Sequence, residues 1–135
     1  MKPFTGRDFA NRGGLVAGAG GGMGLAIANG LIEGGADIVL ADIKPEPEGI
    51  AEGPGRALYL EGDLSDEGFV RAAVARARDH AGRFDYLVNT VGVWWGGRDV
   101  SVVDIEPDLW RRVLEINLDS MMLTARHAVP MMRAN

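Results

Sequence analysis

The sequence predicts an α/β fold: a doubly wound parallel sheet with helices on both faces, in three α/β/α layers. Three observations carry this. Four short apolar segments, near 14–17, 37–42, 57–61 and 84–89, alternate with segments of helical spacing, the pattern of a sheet built from strand–helix–strand units. The second of them, Asp37-Ile38-Val39-Leu40-Ala41-Asp42, has a continuous apolar centre, as expected of a parallel strand covered on both faces. The first strand runs into a turn crowded with glycine, Gly18-Ala19-Gly20-Gly21-Gly22-Met23-Gly24, which opens a helix.

Each element has its own signals. Residues 1–12 are polar and mixed, and read as a loose arm. The first helix is expected over 23–33, with Leu25, Ile27, Leu31 and Ile32 available for its buried face and Gly34-Gly35 stopping it. Prolines and glycines between Lys44 and Gly55 mark a loop. After the third strand, Ser65 is placed to cap a helix whose first turn holds Asp66 and Glu67. That helix continues through Val70, Val74 and Ala77 to about Ala81, and Gly82 ends it. The fourth strand is expected over Phe84 to Asn89, followed by an irregular stretch to Asp104. A long helix then starts near Pro107, a favoured first-turn residue. Trp110, Val113, Leu114, Asn117, Leu118, Met121 and Met122 fall at helical spacing along it. Pro130, which cannot donate to the Arg126 carbonyl, is expected to bend or end it.

Composition narrows the function. The 135 residues are expected to form one domain, 1–135, and a net charge of −5 argues against a nucleic-acid partner. With no cysteine, a disulfide framework and a Cys-based metal site are excluded; no metal site is expected, and the absence fits a cytoplasmic protein. Residues 13–32 carry no charge, yet eight of them are glycine and the apolar ones fall in short groups, so a membrane span is not expected. Nor does the amino terminus read as an apolar leader.

The glycine turn is the candidate binding element. The start of a helix offers free N–H groups and a partial positive charge, and a turn without side chains lets a phosphate approach them. The strict G-x-G-x-x-G pattern is absent; the glycines stand as Gly18-x-x-x-Gly22-x-Gly24, and no lysine follows them as a P-loop requires. Asp42, at the end of the second strand, can accept hydrogen bonds from a ribose 2′,3′-hydroxyl pair. It would also repel a 2′-phosphate by roughly 4 kcal/mol per unit charge at about 4 Å. Lys44 is the one cation nearby in sequence. These residues favour NAD over NADP. A glycine-rich turn without ligand and an aspartate that merely ends a strand are the plain alternatives.

These residues also carry a family resemblance. The run from Ala17 to Gly24 resembles the T-G-x-x-x-G-[IL]-G turn of the short-chain dehydrogenase/reductase family, with Ala17 in place of threonine. Asp63-Leu64, after the third strand, is similar to that family's adenine-binding acid. Asn89-Thr90-Val91-Gly92 resembles its N-N-A-G segment with the second and third residues changed, and Asn117 in Glu115-Ile116-Asn117-Leu118 resembles the asparagine of its catalytic tetrad. The resemblance implies a Rossmann-like domain and cofactor contacts from Gly18, Gly21, Gly22, Met23, Gly24, Asp42, Ile43, Asp63, Leu64, Asn89, Val91 and Gly92. It also implies a catalytic role for Asn117 and hydride transfer between NAD and a secondary alcohol or ketone, by an enzyme that is a homo-oligomer at full length. Structural readings stand beside these: Asp63 as a loop acid, Asn89 and Gly92 as turn residues, Asn117 as the donor and acceptor of a structural hydrogen bond. Trp94-Trp95 either line an apolar substrate pocket or serve packing or subunit contact, and His80 and His127 read as ordinary surface or core residues.

One part of the family pattern is missing. Its serine and Tyr-x-x-x-Lys set follow the asparagine helix. Here Tyr59 is followed four positions later by Asp63 and Tyr86 by Thr90, and the only lysines are Lys2 and Lys44. The expectation is therefore a Rossmann-like fold truncated after the fourth strand and its following helix, inactive alone, with Tyr86-Leu87-Val88 on an open sheet edge. The alternative is a non-catalytic dinucleotide-binding fragment or interaction module.

Overall fold

The computed structural model describes residues 8–98 and 100–135. Most of the amino-terminal arm lies outside the described residues. Strands β1 (Gly13–Ala17), β2 (Asp37–Asp42), β3 (Ala57–Glu61) and β4 (Tyr86–Asn89) alternate with helices α1 (Gly22–Glu33) and α2 (Glu67–Ala81). After β4 come helix α3 (Pro107–Leu114), a π-helical turn (Glu115–Asp119) and helix α4 (Ser120–Arg133).

All the strand pairings are parallel, in the order β3-β2-β1-β4. The register sets Leu15 beside Val39 and Leu87, and Val16 beside Leu40 and Val88. Because side chains alternate across a strand, the sheet has two apolar faces and needs a cover on each. On one face Leu15, Ala17, Val39 and Ala41 pack with Val70, Val74 and Ala77 of α2 and Leu123 and Ala128 of α4. On the other, Val16, Ile38 and Leu40 pack with Ala28 and Ile32 of α1. The result is the expected three-layer, Rossmann-like α/β arrangement. β1 lies between β2 and β4, and among the described residues β4 pairs within the sheet only with β1. No helix among the described residues is long and apolar enough to cross a membrane.

Two local expectations are corrected, and two are met in part. The cap of α2 is Asp66, whose carboxylate accepts from the Phe69 N–H at 2.7 Å; Ser65 turns instead to Asp63. β4 begins at Tyr86 rather than Phe84, because the Asn135 amide takes both the Phe84 N–H (3.2 Å) and its carbonyl (2.6 Å). On α1, Ile32 is buried as expected and Leu25 and Leu31 pack half-buried against the core, but Gly24 and Ala28 complete the buried stripe and Ile27 is half-buried. Pro130 does not end α4, which runs on to Arg133. It is exposed and close to the helix end, where water can take the orphaned Arg126 carbonyl.

The carboxyl-terminal helices pack through Leu109, Ser120, Leu123, Thr124 and Ala128. Two of these are polar, and both satisfy themselves within the fold. The Ser120 hydroxyl donates to the Ile116 carbonyl at 2.6 Å. Thr124 Oγ1 lies 2.9 Å from both the Ser120 carbonyl and Asn89 Oδ1. Small residues on this face allow α4 to sit close to the sheet, and Trp110, Leu114, Leu118, Met121 and Met122 are left exposed.

Candidate functional site

With β1 flanked by β2 on one side and β4 on the other, the chain crosses over in opposite directions from β1. Open α/β sheets bind ligands at such a switch point, beyond the carboxyl ends of the strands. A cleft of about 530 Å³ lies there. Gly18, Gly21 and Gly22 line it from the turn after β1, and Asp42 and Ile43 from the tip of β2. Asp63 and Leu64 enter from the loop after β3, and Val91 and Gly92 from the segment after β4. With Arg112 and Ile116 from the carboxyl-terminal helices, residues from five separate stretches of sequence share one cavity.

The floor of the cleft suits an anion. α1 starts at Gly22, its cap residue is Gly21, and no side chain caps it. The first backbone bond back into the helix start is Leu25 N–H to the Gly21 carbonyl at 3.2 Å. The amides of residues 22–24 therefore lack acceptors within the helix, at its positive end. A Cβ added at Gly21 or Gly22 would meet nothing within 4 Å, so the backbone lies open to a ligand, and Gly22 has a φ of +51° that favours glycine. This donor set fits a pyrophosphate. Gly24 does not line the cleft. It is buried, and a Cβ there would run into the Gly18 carbonyl oxygen and the Thr90 hydroxyl, so its part is to let α1 approach the turn. Met23, beside it, is 69% exposed and also lies off the cleft wall.

Asp42 is fixed by backbone donors at both carboxylate oxygens. Gly20 N–H reaches Oδ2 at 2.8 Å, and Lys44 N–H reaches Oδ1 at 3.0 Å. Gly20 fits because a Cβ there would come within 2.7 Å of the Asp42 Cγ. Tyr59 donates to the Lys44 carbonyl at 2.8 Å. Burial pushes the Tyr59 hydroxyl up to about 12, helped by Asp42, Glu61 and Glu46, so it remains a neutral donor. Asp63 behaves differently. Burial would raise its pKa, but hydrogen bonds from the Ser65 hydroxyl and backbone N–H, and from Arg112, outweigh this and hold it below the usual carboxylate value. It is a charged acceptor at neutral pH.

On the β4 side, Thr90 Oγ1 lies 2.9 Å from the Ala17 carbonyl and 3.0 Å from that of Gly18, binding the end of β4 to the glycine turn. Asn89 pairs in register with Ala17 of β1 but does not line the cleft; its side-chain oxygen accepts from Thr124 and ties β4 to α4. The Asn117 side chain is engaged with Val93 on both of its ends: Oδ1 accepts from Val93 N–H at 2.6 Å, and Nδ2 donates to the Val93 carbonyl at 3.0 Å. It pins the loop after β4, near Gly92, and it sits in the π-helical turn. Trp95 lines the cleft, whereas Trp94 is 76% exposed. Among the ring nitrogens, His127 Nε2 pairs with Glu67 at 3.0 Å and His80 Nε2 lies 3.3 Å from the Arg56 carbonyl. Thr90, Val93, Arg112 and Ile116 also line the cleft, and sequence reasoning gave none of them a role there. Thr90 stands within the quoted Asn89–Gly92 segment, where its hydroxyl is the available signal; Arg112 gives none, because 49 positions separate it from the Asp63 it contacts.

A parallel sheet in this order, with a glycine-floored cleft at its switch point and an acid at the tip of β2, defines a Rossmann-like α/β domain. Residues 18–135 match the family model described as enoyl-(acyl carrier protein) reductase. The chain belongs to the short-chain dehydrogenase/reductase family. It is 35% identical over 133 residues to a cis-4-hydroxycyclohexanecarboxylate dehydrogenase of Sinomonas cyclohexanicum, covering 96% of this chain and 53% of that protein. It is 38% identical over 131 residues to the trans-4-hydroxycyclohexanecarboxylate dehydrogenase of the same organism, covering 89% and 49%. Among solved structures, a carveol dehydrogenase from Mycobacterium avium in complex with NAD superposes with a TM-score of 0.81 at 26% identity, covering 95% of this chain and 52% of that one. The chain spans about half the length of the curated relatives it matches.

Proposed function

We propose that this chain forms the cofactor-binding portion of an NAD-dependent oxidoreductase that moves a hydride between the nicotinamide and a secondary alcohol or ketone. The observation that carries the reading is the convergence, in one cleft, of the open amides at the start of α1, the fixed carboxylate of Asp42 and the charged acceptor Asp63. When bound, NAD supplies the hydride acceptor and its reduced form the donor. The residues of the chain bind and orient it: backbone N–H groups at Gly22 and beyond take the pyrophosphate, Asp42 accepts from the adenosine ribose hydroxyls, and Asp63 accepts from the adenine amino group. The relatives named for hydroxylated cyclohexanecarboxylates and the carveol dehydrogenase support a small alcohol or ketone as substrate. The preference for NAD over NADP rests on the charge of Asp42.

A second reading, a dinucleotide-binding module without chemistry of its own, is favoured by the Asn117 amide being engaged at both ends by Val93. Two assays on the 135-residue chain separate the possibilities. NAD raises the unfolding midpoint in proportion to the logarithm of its concentration, by mass action, if the cleft binds it. Reduced cofactor then accumulates with a secondary alcohol only if this chain also supplies the proton-transfer group. Binding without turnover is the expected pair of results. A midpoint that does not move with NAD contradicts both readings.

A further inference from the structure

We propose that Arg112 is a positioning residue, which fixes the Asp63 carboxylate so that the cleft selects a purine bearing a 6-amino group. The proposal rests on reading the cleft as an adenine-dinucleotide site, and it adds to that site a residue from α3. A carboxylate offers about four acceptor directions on its two oxygens. In Asp63, Oδ1 accepts from the Ser65 backbone N–H at 2.8 Å and from the Ser65 hydroxyl at 2.7 Å. Oδ2 accepts from Arg112 Nη2 at 3.4 Å. This accounting leaves one acceptor direction, on Oδ2, and both Asp63 and Arg112 line the cleft.

Arg112 can hold that oxygen because it is itself held. Nη1 pairs with Glu115 Oε1 at 2.8 Å and lies 3.3 Å from the Ser65 hydroxyl. One guanidinium fork thus spans a loop acid, a loop serine and an acid on the next helical turn, which the single ammonium of a lysine cannot do. Without Arg112 the carboxylate is anchored through Oδ1 alone, and Oδ2 is free to turn toward solvent. The remaining acceptor direction can take one of the two N–H groups of an exocyclic amine. A 6-oxo purine would set an acceptor against a charged acceptor, and such a mismatch in a site built for a donor is strongly rejected.

The experiment is calorimetric titration of adenosine monophosphate and inosine monophosphate into the full chain and into R112M and R112K. The wild-type chain is expected to favour the adenine nucleotide about tenfold, the scale of one hydrogen bond to a charged group. R112M is expected to bring the ratio to within about twofold, chiefly by weakening the adenine nucleotide, and R112K to fall between. A ratio in R112M equal to the wild-type one overturns the proposal, as does equal binding of the two nucleotides by the wild-type chain. If R112M does not fold, R112K decides alone: an unchanged tenfold ratio overturns the proposal and a reduced one supports it. Failure of the wild-type chain to bind either nucleotide strikes at the cofactor reading itself, and this proposal falls with it.

Discussion

Replacing Asp42 with alanine is expected to remove the preference of the cleft for NAD over NADP. The carboxylate cannot turn away from a ligand, since Gly20 N–H and Lys44 N–H hold its two oxygens. A 2′-phosphate placed at the ribose would lie about 4 Å from it, and each unit of charge there is worth roughly 4 kcal/mol at an effective dielectric near 20. The cleft is open to water and carries Lys44 and Arg112 on its walls, so about half of this is expected to survive, roughly 2 kcal/mol or about thirtyfold in affinity. In Asp42→Ala that repulsion disappears while the charged hydrogen bonds to the ribose hydroxyls are also lost, a loss of about 1.5–3 kcal/mol each. NADP should therefore bind more tightly and NAD more weakly, bringing their ratio close to one. The assay is calorimetry with both cofactors at fixed salt, performed well below the unfolding midpoint. That precaution matters because the variant also strips two backbone N–H groups of their acceptor, at about 1–3 kcal/mol for each one left unsatisfied. A ratio that stays where the wild-type chain has it would refute the role given to Asp42.

Three further outcomes follow from the packing. Gly24→Ala should destabilise the chain at or above the top of the usual range for overpacking, about 1–3 kcal/mol, because its Cβ would meet the backbone oxygen of Gly18; urea unfolding measures this, and a shift within error would show the turn to be more pliable than described. Thr90→Val keeps the shape and deletes the hydroxyl shared by the Ala17 and Gly18 carbonyls, for an expected loss of about 1–3 kcal/mol in the same assay. Asp85 is held down to about 2 by the side chain of Arg83, with the Gly13 N–H and Arg12 adding to it against the opposing effect of burial. Its folded pKa is below its unfolded value, so its contribution is complete above about pH 4 and is lost as pH falls toward 2. With both arginines partly exposed, the loss is expected to be about 1–2 kcal/mol, and Asp85→Asn should flatten that part of the stability profile.

The parts of the fold that were readable in sequence are those fixed by local chemistry. The glycine turn, the continuous apolar run of β2 and the Gly82 stop of α2 each follow from a few neighbouring residues, and the structure has all three. The cleft acids were readable for the same reason: Asp42 and Asp63 stand just where strands end. What escaped depends on a choice between competing partners or on a partner far along the chain. Ser65 looks like a cap, but the nearby Asp63 offers it a charged acceptor and Asp66 takes the capping position. Ser120 and Thr124 do not look like core residues, yet each hydroxyl bonds to a carbonyl one turn back, and larger apolar neighbours face outward. The π-helical turn at 115–119 inserts a longer repeat into the helix, so a constant spacing does not give the buried face. Arg112 reads as one more charge on a polar helix until the fold brings it to Asp63.

The measurement that bears most directly on the cleft is a map of backbone amide chemical shifts in the 15N-labelled chain as NAD is added. The largest changes are expected at Gly21, Gly22, Met23 and Gly24, with further changes at Asp42, Asp63 and Gly92, saturating together. Shifts confined to the opposite end of the sheet, around the cavity lined by Arg12, Arg56 and Arg83, or no shifts at all in folded protein, would contradict the placement of a dinucleotide at the head of α1.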